Sequence, residues 1–188
     1  MNEMTVPMVG FCAWSGTGKT TLLTRLLPLM VSRGLKVAVV KHAHHSFDID
    51  HPGKDSYELR EAGASQTLIA SRKRMALITE FEEGRGEPSL ADALSGLNIQ
   101  NLDLILVEGF KHEHYQKIEL HRPQMKKPLL FPDDANIIAI ASDAPIPENR
   151  QLLPKLNINN PEQIVQFILD NVIGTTPQIS VSGAGQHE

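Results

Sequence analysis

Apolar runs alternate along the chain with segments of helical periodicity and with polar connections. Short runs that are rich in Val, Ile and Leu predict buried strands, and the periodic segments between them predict helices. A basic trio, Arg72-Lys73-Arg74, separates two short apolar runs, as in a hairpin or in two neighbouring strands. The predicted strands are residues 8–13, 35–41, 66–70, 75–79, 102–109, 117–121 and 136–141, and the predicted helices are residues 18–33, 57–62, 89–97 and 160–172.

This order of elements predicts an α/β fold with three layers and a mostly parallel central sheet. A length of 188 residues favours one domain, which we expect to span residues 1–173. Residues 174–188 are rich in Gly, Ser, Thr and Gln, so we expect a flexible C-terminal tail. Ligands of such sheets bind at the carboxyl ends of the strands, and that edge is where a site is sought.

The first strand leads into a glycine-rich turn, residues 13–21, and then into the first helix. Glycines let successive backbone N–H groups converge on a polyphosphate, and the helix N-terminus adds a positive end. Lys19 is expected to reach the β- and γ-phosphates and the Thr20 hydroxyl to bind Mg²⁺, which predicts a P-loop NTPase fold. Ala13 stands where the general motif has glycine. The predicted nucleotide-binding residues are Ser15, Gly16, Thr17, Gly18, Lys19, Thr20 and Thr21.

A Mg²⁺ ion on a bound triphosphate needs a carboxylate besides Thr20. Glu108 ends a strongly apolar strand and is the preferred candidate, whereas Asp103 begins that strand and is the weaker one. Asp48 and Asp50 follow the second strand and are further metal candidates. Lys19 and Glu108 are the candidate catalytic residues.

Asp143 follows the last core strand and has two possible roles. Its carboxylate can accept hydrogen bonds from N1–H and the 2-amino group of guanine, which adenine does not offer together. A Ser-Asp pair before Pro145 is also an ordinary turn sequence.

The composition of the chain argues against several classes of function. There are 18 basic and 22 acidic residues, a net charge of −4, which argues against non-specific nucleic-acid binding. No apolar stretch reaches the length of a membrane span, and we expect no signal peptide. The one cysteine, Cys12, is expected to be buried, which fits a reducing cytoplasm.

Histidines cluster in two polar connections. Transition-metal or oxyanion binding, contact with the γ-phosphate or a partner protein, and ordinary solvated loops are all possible, because the spacing is loose and no cysteine accompanies them. These histidines, whose role the sequence leaves open, are His42, His44, His45, His51, His112 and His114.

With these motifs in hand, the chain resembles the molybdopterin-guanine dinucleotide biosynthesis protein B (MobB) family. The resemblance rests on residues 13–23, 41–56, 57–63, 102–113 and 138–145. It implies a homodimeric GTP-binding protein with weak GTPase activity and Mg²⁺ as cofactor. It also implies an adapter role beside the guanylyltransferase that attaches GMP to molybdopterin. The phosphate-loop role is carried to Gly16, Gly18, Lys19 and Thr20, and the metal-acid role to Glu108.

Two other functions use the same features. A small-molecule kinase needs an arginine-bearing lid, for which Arg72, Arg74 and Arg85 are the nearby candidates. A metal- or oxyanion-carrying chaperone would use the histidine connections instead. A panel of guanine and adenine nucleotides, with the reaction products identified, separates these possibilities.

Overall fold

A computed structural model describes residues 6–43, 47–82, 84–146 and 153–174. The chain forms two compact units, one of Met1–His42 with Leu90–Glu188 and one of Ala43–Ser89. The strands are β1 (Met8–Cys12), β2 (Val37–Lys41), β3 (Gln66–Ala70), β4 (Met75–Thr79), β5 (Leu104–Glu108), β6 (Lys117–His121), β7 (Ile137–Ser142) and β8 (Lys155–Asn157). The helices are α1 (Lys19–Ser32), α2 (Asp55–Glu61), α3 (Leu90–Ser95) and α4 (Pro161–Ile168), which continues as a π-helical turn over Leu169–Ile173.

Six strands of the first unit form one sheet in the order β2-β5-β1-β6-β7-β8. Every neighbouring pair is parallel, which confirms the predicted parallel sheet. Because the strands are parallel, their carboxyl ends share one edge. That edge carries the loop after β1, the end of β5 at Glu108, and the segments that follow β6 and β7.

Helices cover both faces of this sheet, so the predicted three layers are present. Strand β5 shows the reason, since its residues are buried on both faces, as the strands of a parallel sheet are. Leu104 and Leu106 pack in one cluster with residues of α1 and α4, whereas Ile105 and Val107 pack in another with Leu90 of α3.

The second unit contains α2 and an antiparallel hairpin of β3 and β4, in which Leu68 pairs with Leu77. Of the two arrangements predicted around the basic trio, the structure has the hairpin. Among its described residues, 43, 47–82 and 84–89, Asp50 alone is buried. The unit therefore has no buried apolar residue within that part of the chain. None of the described helices in either unit has the length and apolar character to cross a membrane.

The sequence pattern did not predict β8. This strand has three residues and pairs with β7 through Ala141 and Leu156. Leu156 is its one buried residue. A single apolar position gives no periodic signal, so this edge strand is visible only in the fold.

Candidate functional site

The glycine loop joins β1 to α1 at the carboxyl edge of the sheet. Gly16 and Gly18 have φ of +81° and +99°, in the left-handed region that glycine adopts without steric cost. Gly18 is the N-cap of α1, and its carbonyl accepts the N–H of Leu22 at 2.9 Å. The first N–H groups of a helix have no partner within the helix, so the loop and this terminus offer donors that suit an anion.

Lys19 is held against the beginning of the loop. Its ammonium Nζ donates to the carbonyl of Ala13 at 3.2 Å. Ala13 is half-buried and packs against the apolar cluster under α1, so its methyl group is accommodated where the general motif has glycine. The charge of Lys19 thus stays beside the surface formed by the loop N–H groups.

Thr20 and Glu108 meet across the sheet edge. The Thr20 hydroxyl Oγ1 donates to Glu108 Oε1 at 3.3 Å, because β1 pairs with β5 in a register that aligns Phe11 with Glu108. Glu108 Oε2 also lies 3.7 Å from Nζ of Lys41 at the end of β2. A hydroxyl and a carboxylate oxygen at this separation fit a hard cation such as Mg²⁺.

Gly109 and Phe110 fix the backbone immediately after Glu108. Gly109 has a φ of +96°, and a Cβ there would lie 2.6 Å from Cβ of His42. Phe110 has a φ of +49° and stacks on His42 with ring centroids 4.7 Å apart. The Tyr115 hydroxyl donates to the Gly109 carbonyl at 2.6 Å. These contacts hold the end of β5, and so Glu108, in place.

Arg122 connects the loop to Asp143, and no sequence motif marks it. It follows β6 directly, donates from Nε to the Thr17 carbonyl at 3.0 Å, and donates from Nη1 to Asp143 Oδ2. Asp143, predicted as a guanine contact or a turn residue, is therefore at the same edge as the loop and in an ion pair. A basic residue directly after a core strand was the one signal that could have found Arg122.

The segment after β6 packs along the loop. The indole Nε1 of Trp14 donates to the Pro128 carbonyl at 2.8 Å, and Lys127 lies with Nζ 5.5 Å from the centre of the indole rings. The hydroxyl of buried Thr17 donates to the Trp14 carbonyl at 2.7 Å, and the Met125 sulfur lies 3.6 Å from that hydroxyl. These bonds fix residues 14–17 from outside. Ser15 and Thr21 are exposed.

Asp48 and Asp50 lie in the second unit, where both bind Arg60. Nη2 of Arg60 is 2.9 Å from Asp48 Oδ1 and 3.0 Å from Asp50 Oδ1, and Nη1 is 3.1 Å from Glu80. Burial alone would raise the pKa of Asp50, but hydrogen bonds from Arg60 and Ser56 and the Arg60 charge hold it below the ordinary value. Their role as metal ligands stays a prediction, and Arg60 is their partner in this structure.

In their described part, the histidine connections hold no cluster of side chains arranged as a metal centre. No group of three or more His, Cys, Asp or Glu side chains among the described residues is arranged to hold a metal ion. His42 stacks on Phe110, His51 and His112 are exposed, and His114 lies with Nδ1 3.4 Å from the amide of Asn136. His44 and His45 lie outside the described residues.

Strand β6 carries buried polar side chains that the sequence did not single out. Lys117, Glu119 and His121 alternate along it, and each is buried. Glu119 accepts the N–H groups of Leu130 and Phe131 at 2.8 and 3.0 Å, and burial raises its pKa despite those bonds. The neighbouring thiol of Cys12 is buried as predicted, with its pKa raised to about 12 by burial and by Glu119. Cys12 is therefore an unreactive thiol at neutral pH.

The loop between β1 and α1, with Lys19, Thr20 and Glu108 at one edge of a parallel sheet, defines a P-loop nucleotide-binding fold. Residues 8–143 match the family described as Molybdopterin guanine dinucleotide synthesis protein B. The chain belongs to this MobB family, as its motifs predicted.

Relatives and solved structures agree with this assignment. The chain is 46% identical over 166 residues to the molybdopterin-guanine dinucleotide biosynthesis adapter protein of Escherichia coli K12, covering 88% of this chain and 93% of that protein. It is 42% identical over 165 residues to the protein of the same name from Haemophilus influenzae, covering 87% and 88%. The crystal structure of Bacillus subtilis MobB superposes with a TM-score of 0.67 at 26% identity, over 89% of this chain and 99% of that one. A crystal structure of molybdopterin-guanine biosynthesis protein B gives 0.65 at 27% identity, over 87% and 98%.

Proposed function

We propose that this protein is a GTP-binding adapter with weak GTPase activity, acting in the cytoplasm in the biosynthesis of molybdopterin guanine dinucleotide. The observation that carries the proposal is the placement of Thr20 against Glu108 beside a loop that holds Lys19. The relatives named as adapter proteins in this pathway cover most of the chain. The partner is then the guanylyltransferase that joins GMP to molybdopterin.

Magnesium is the cofactor that the site fits. Thr20 and Glu108 would supply two of its oxygen ligands, and such an ion neutralises charge on the β- and γ-phosphates. Lys41 lies next to the same carboxylate. It pairs with Glu108 when no cation is there and competes with Mg²⁺ for this carboxylate. Lys19 supplies a fixed positive charge to the phosphates from the loop itself.

Guanine is the base that we assign to the site, with Asp143 as its acceptor. A carboxylate offers about four lone-pair positions, and Arg122 occupies one of those on Oδ2. The remaining positions can accept two donors from guanine. Adenine presents an acceptor, N1, where guanine presents N1–H, so a carboxylate discriminates between the bases.

The arginines considered for a kinase lid lie in structures that favour weak hydrolysis over phosphoryl transfer to an acceptor. Arg72 and Arg74 lie in the turn of the β3–β4 hairpin, where Ser71 N–H donates to the Arg74 carbonyl at 2.8 Å. Arg85 stacks on Phe81 at 3.9 Å. A two-strand turn is a different structure from the helical lid that excludes water in a kinase.

A homodimer completes the proposal. The hairpin exposes Leu68, Met75 and Leu77 on one face, with 59%, 71% and 51% of each residue accessible. These side chains share a face because Leu68 pairs with Leu77 and Ala70 with Met75. Exposed apolar side chains that cluster on one face mark an association surface.

Calorimetric titration of GTP and ATP, each with and without Mg²⁺, tests the function. We expect GTP to bind at least about tenfold more tightly than ATP, which corresponds to about one charged hydrogen bond. Equal binding of the two nucleotides would remove the guanine assignment. Repeating the titration with the guanylyltransferase tests the adapter role, and an unchanged transferase rate and affinity would contradict it. A phosphorylated small molecule in place of free phosphate would indicate a kinase.

A further inference from the structure

Arg122 is held at two of its three nitrogens. Nε donates to the carbonyl of Thr17 at 3.0 Å, and Nη1 donates to Asp143 Oδ2. The guanidinium is planar, so these two bonds fix the direction of the third nitrogen, Nη2. The side chain is 27% exposed, and the Asp143 side chain is 18% exposed, so solvent screens the pair only in part.

The third nitrogen faces the mouth of the loop. Nη2 lies 4.0 Å from the position that a Cβ on Gly18 would take, and no side chain intervenes because residue 18 is glycine. Within the described part of the chain, Nη2 has no hydrogen-bond partner. Gly18 caps α1, where the unpaired N–H groups that attract phosphate oxygens begin.

We propose that Arg122 is a phosphate-binding residue of the nucleotide site and that Asp143 is the positioning residue that holds it there. The inference deepens the proposed nucleotide binding and rests on it. A phosphate oxygen bound at the N–H groups around Gly18 comes within reach of Nη2. Arginine suits this task because its fork can bind Thr17, Asp143 and a phosphate oxygen at the same time.

The arrangement also links two parts of the site. Asp143 follows β7 and Thr17 lies in the loop after β1, so one guanidinium ties both to the same ligand. Asp143 can bind Arg122 and still accept hydrogen bonds from a base. Loss of Asp143 should therefore weaken phosphate binding even for a ligand that has no base, which distinguishes a positioning role from base recognition.

The test measures GTP, inorganic tripolyphosphate and guanosine as competitors of a fluorescent GTP analogue. We expect Arg122→Gln to lower the affinity for GTP and for tripolyphosphate by about tenfold or more, because a charged hydrogen bond is lost. The affinity for guanosine should stay unchanged. Asp143→Asn should weaken the binding of tripolyphosphate, which has no base, as well as that of GTP and guanosine. For tripolyphosphate it should add no further loss in a chain that already carries Arg122→Gln. The control is Arg33→Gln, since Arg33 is 33% exposed, pairs with Glu162 and lies about 20 Å away at the other end of α1.

Several results would overturn the inference. They are a wild-type affinity of Arg122→Gln for tripolyphosphate, an equal loss of guanosine affinity in Arg122→Gln, and a loss of tripolyphosphate affinity from Asp143→Asn that adds fully to the loss from Arg122→Gln. Thermal melting checks the fold, and Arg122→Lys serves if the glutamine variant does not fold. Lysine keeps the charge without the fork, so an intermediate loss supports the proposal and wild-type affinity contradicts it. If the wild-type protein binds no nucleotide, the proposed function falls and this inference with it. If it binds GTP and Arg122→Gln does so equally, this inference alone falls.

Discussion

The Thr20 hydroxyl donates a hydrogen bond to Glu108 Oε1 at 3.3 Å, joining residues that are 88 positions apart in the sequence. The contact arises because β1 and β5 are neighbours and parallel, so the loop after one strand meets the residue that ends the other. A hydroxyl beside a carboxylate is a ready ligand pair for Mg²⁺. The placement makes the roles of the two residues separable by experiment.

Glu108→Gln should retain GTP binding and lose its dependence on Mg²⁺. Glutamine keeps the shape and one acceptor oxygen of the side chain, but it removes the charge that a divalent cation requires. GTP affinity measured by calorimetry over a range of Mg²⁺ concentrations checks this. The control is Asp103→Asn, because Asp103 lies at the opposite end of the β5 segment and binds the Lys36 N–H at 2.7 Å. A full Mg²⁺ response in Glu108→Gln would contradict the assignment.

Lys19→Ala should bring GTP binding below calorimetric detection. The substitution removes the ammonium that lies 3.2 Å from the Ala13 carbonyl and that we propose binds the phosphates. Thermal stability should change little, because the lost bond is a single partly solvated contact. The control is Lys36→Ala, which should bind GTP like the wild type. Lys36 directly precedes β2, at the end of that strand opposite to the carboxyl edge. Unchanged affinity of Lys19→Ala would remove the phosphate-loop role.

The hydrophobic pattern predicted most of the fold because the core strands of a parallel sheet are buried on both faces. Leu104 to Val107 and Ile137 to Ala141 are continuous apolar runs for that reason. Strand β8 gave no such run. The placement of the glycine loop and Glu108 at one sheet edge was predictable because the loop follows β1 and Glu108 ends β5, and both strands are parallel.

Arg122 and Arg60 show what the sequence could not give. Arg122 binds Thr17 and Asp143, which are 105 and 21 positions away, so its partners depend on strand order rather than spacing. Asp48 and Asp50 look like metal ligands in the sequence, and their pairing with Arg60 appears only when loop and helix α2 come together. Tertiary structure determines which side chains pair, whereas the glycine loop and the apolar strands are recognisable from neighbouring residues in the sequence.

Gly109→Ala should destabilise the protein more than Gly34→Ala. Both glycines have positive φ, +96° and +83°, so alanine is strained by roughly 1–2 kcal/mol at either position. A Cβ at Gly109 would also lie 2.6 Å from Cβ of His42, whereas nothing lies within 4 Å of one at Gly34. The free energy of unfolding in urea measures the difference between the variants. Equal destabilisation would show that the His42 contact relaxes without cost.

Asp134→Asn should destabilise the fold by about 3–5 kcal/mol, because it leaves Lys117, which is 1% exposed, without its ionic partner. Burial would raise the pKa of Asp134, but hydrogen bonds from Lys117 and Asn136 and the Lys117 charge lower it below its ordinary value of 3.8. A lowered pKa means that this stability is present above pH 3.8 and is lost as the pH falls through the folded-state pKa. The advantage of wild type over the variant should therefore shrink on acidification.

A double-mutant cycle isolates that pair. Lys117→Met replaces the buried cation with an apolar chain, and adding Asp134→Asn to it should cost much less than Asp134→Asn alone. Unfolding free energies at neutral and acidic pH give the coupling. Additive losses at neutral pH would mean that the ion pair contributes no specific stability.

Leu77→Lys should convert the proposed homodimer to a monomer that still binds GTP. Leu77 is exposed on the β3–β4 hairpin and pairs with Leu68, so one lysine places a charge in the centre of the apolar face. The free-energy cost of burying that charge without a partner exceeds the free energy of association that a small apolar face provides. Sedimentation equilibrium measures the mass, and Val31→Lys is the matched control because Val31 is 61% exposed on α1, outside the hairpin. A Leu77→Lys protein that remains dimeric would place the interface elsewhere. Loss of GTP binding in a folded monomer would instead show that the nucleotide site depends on the partner chain.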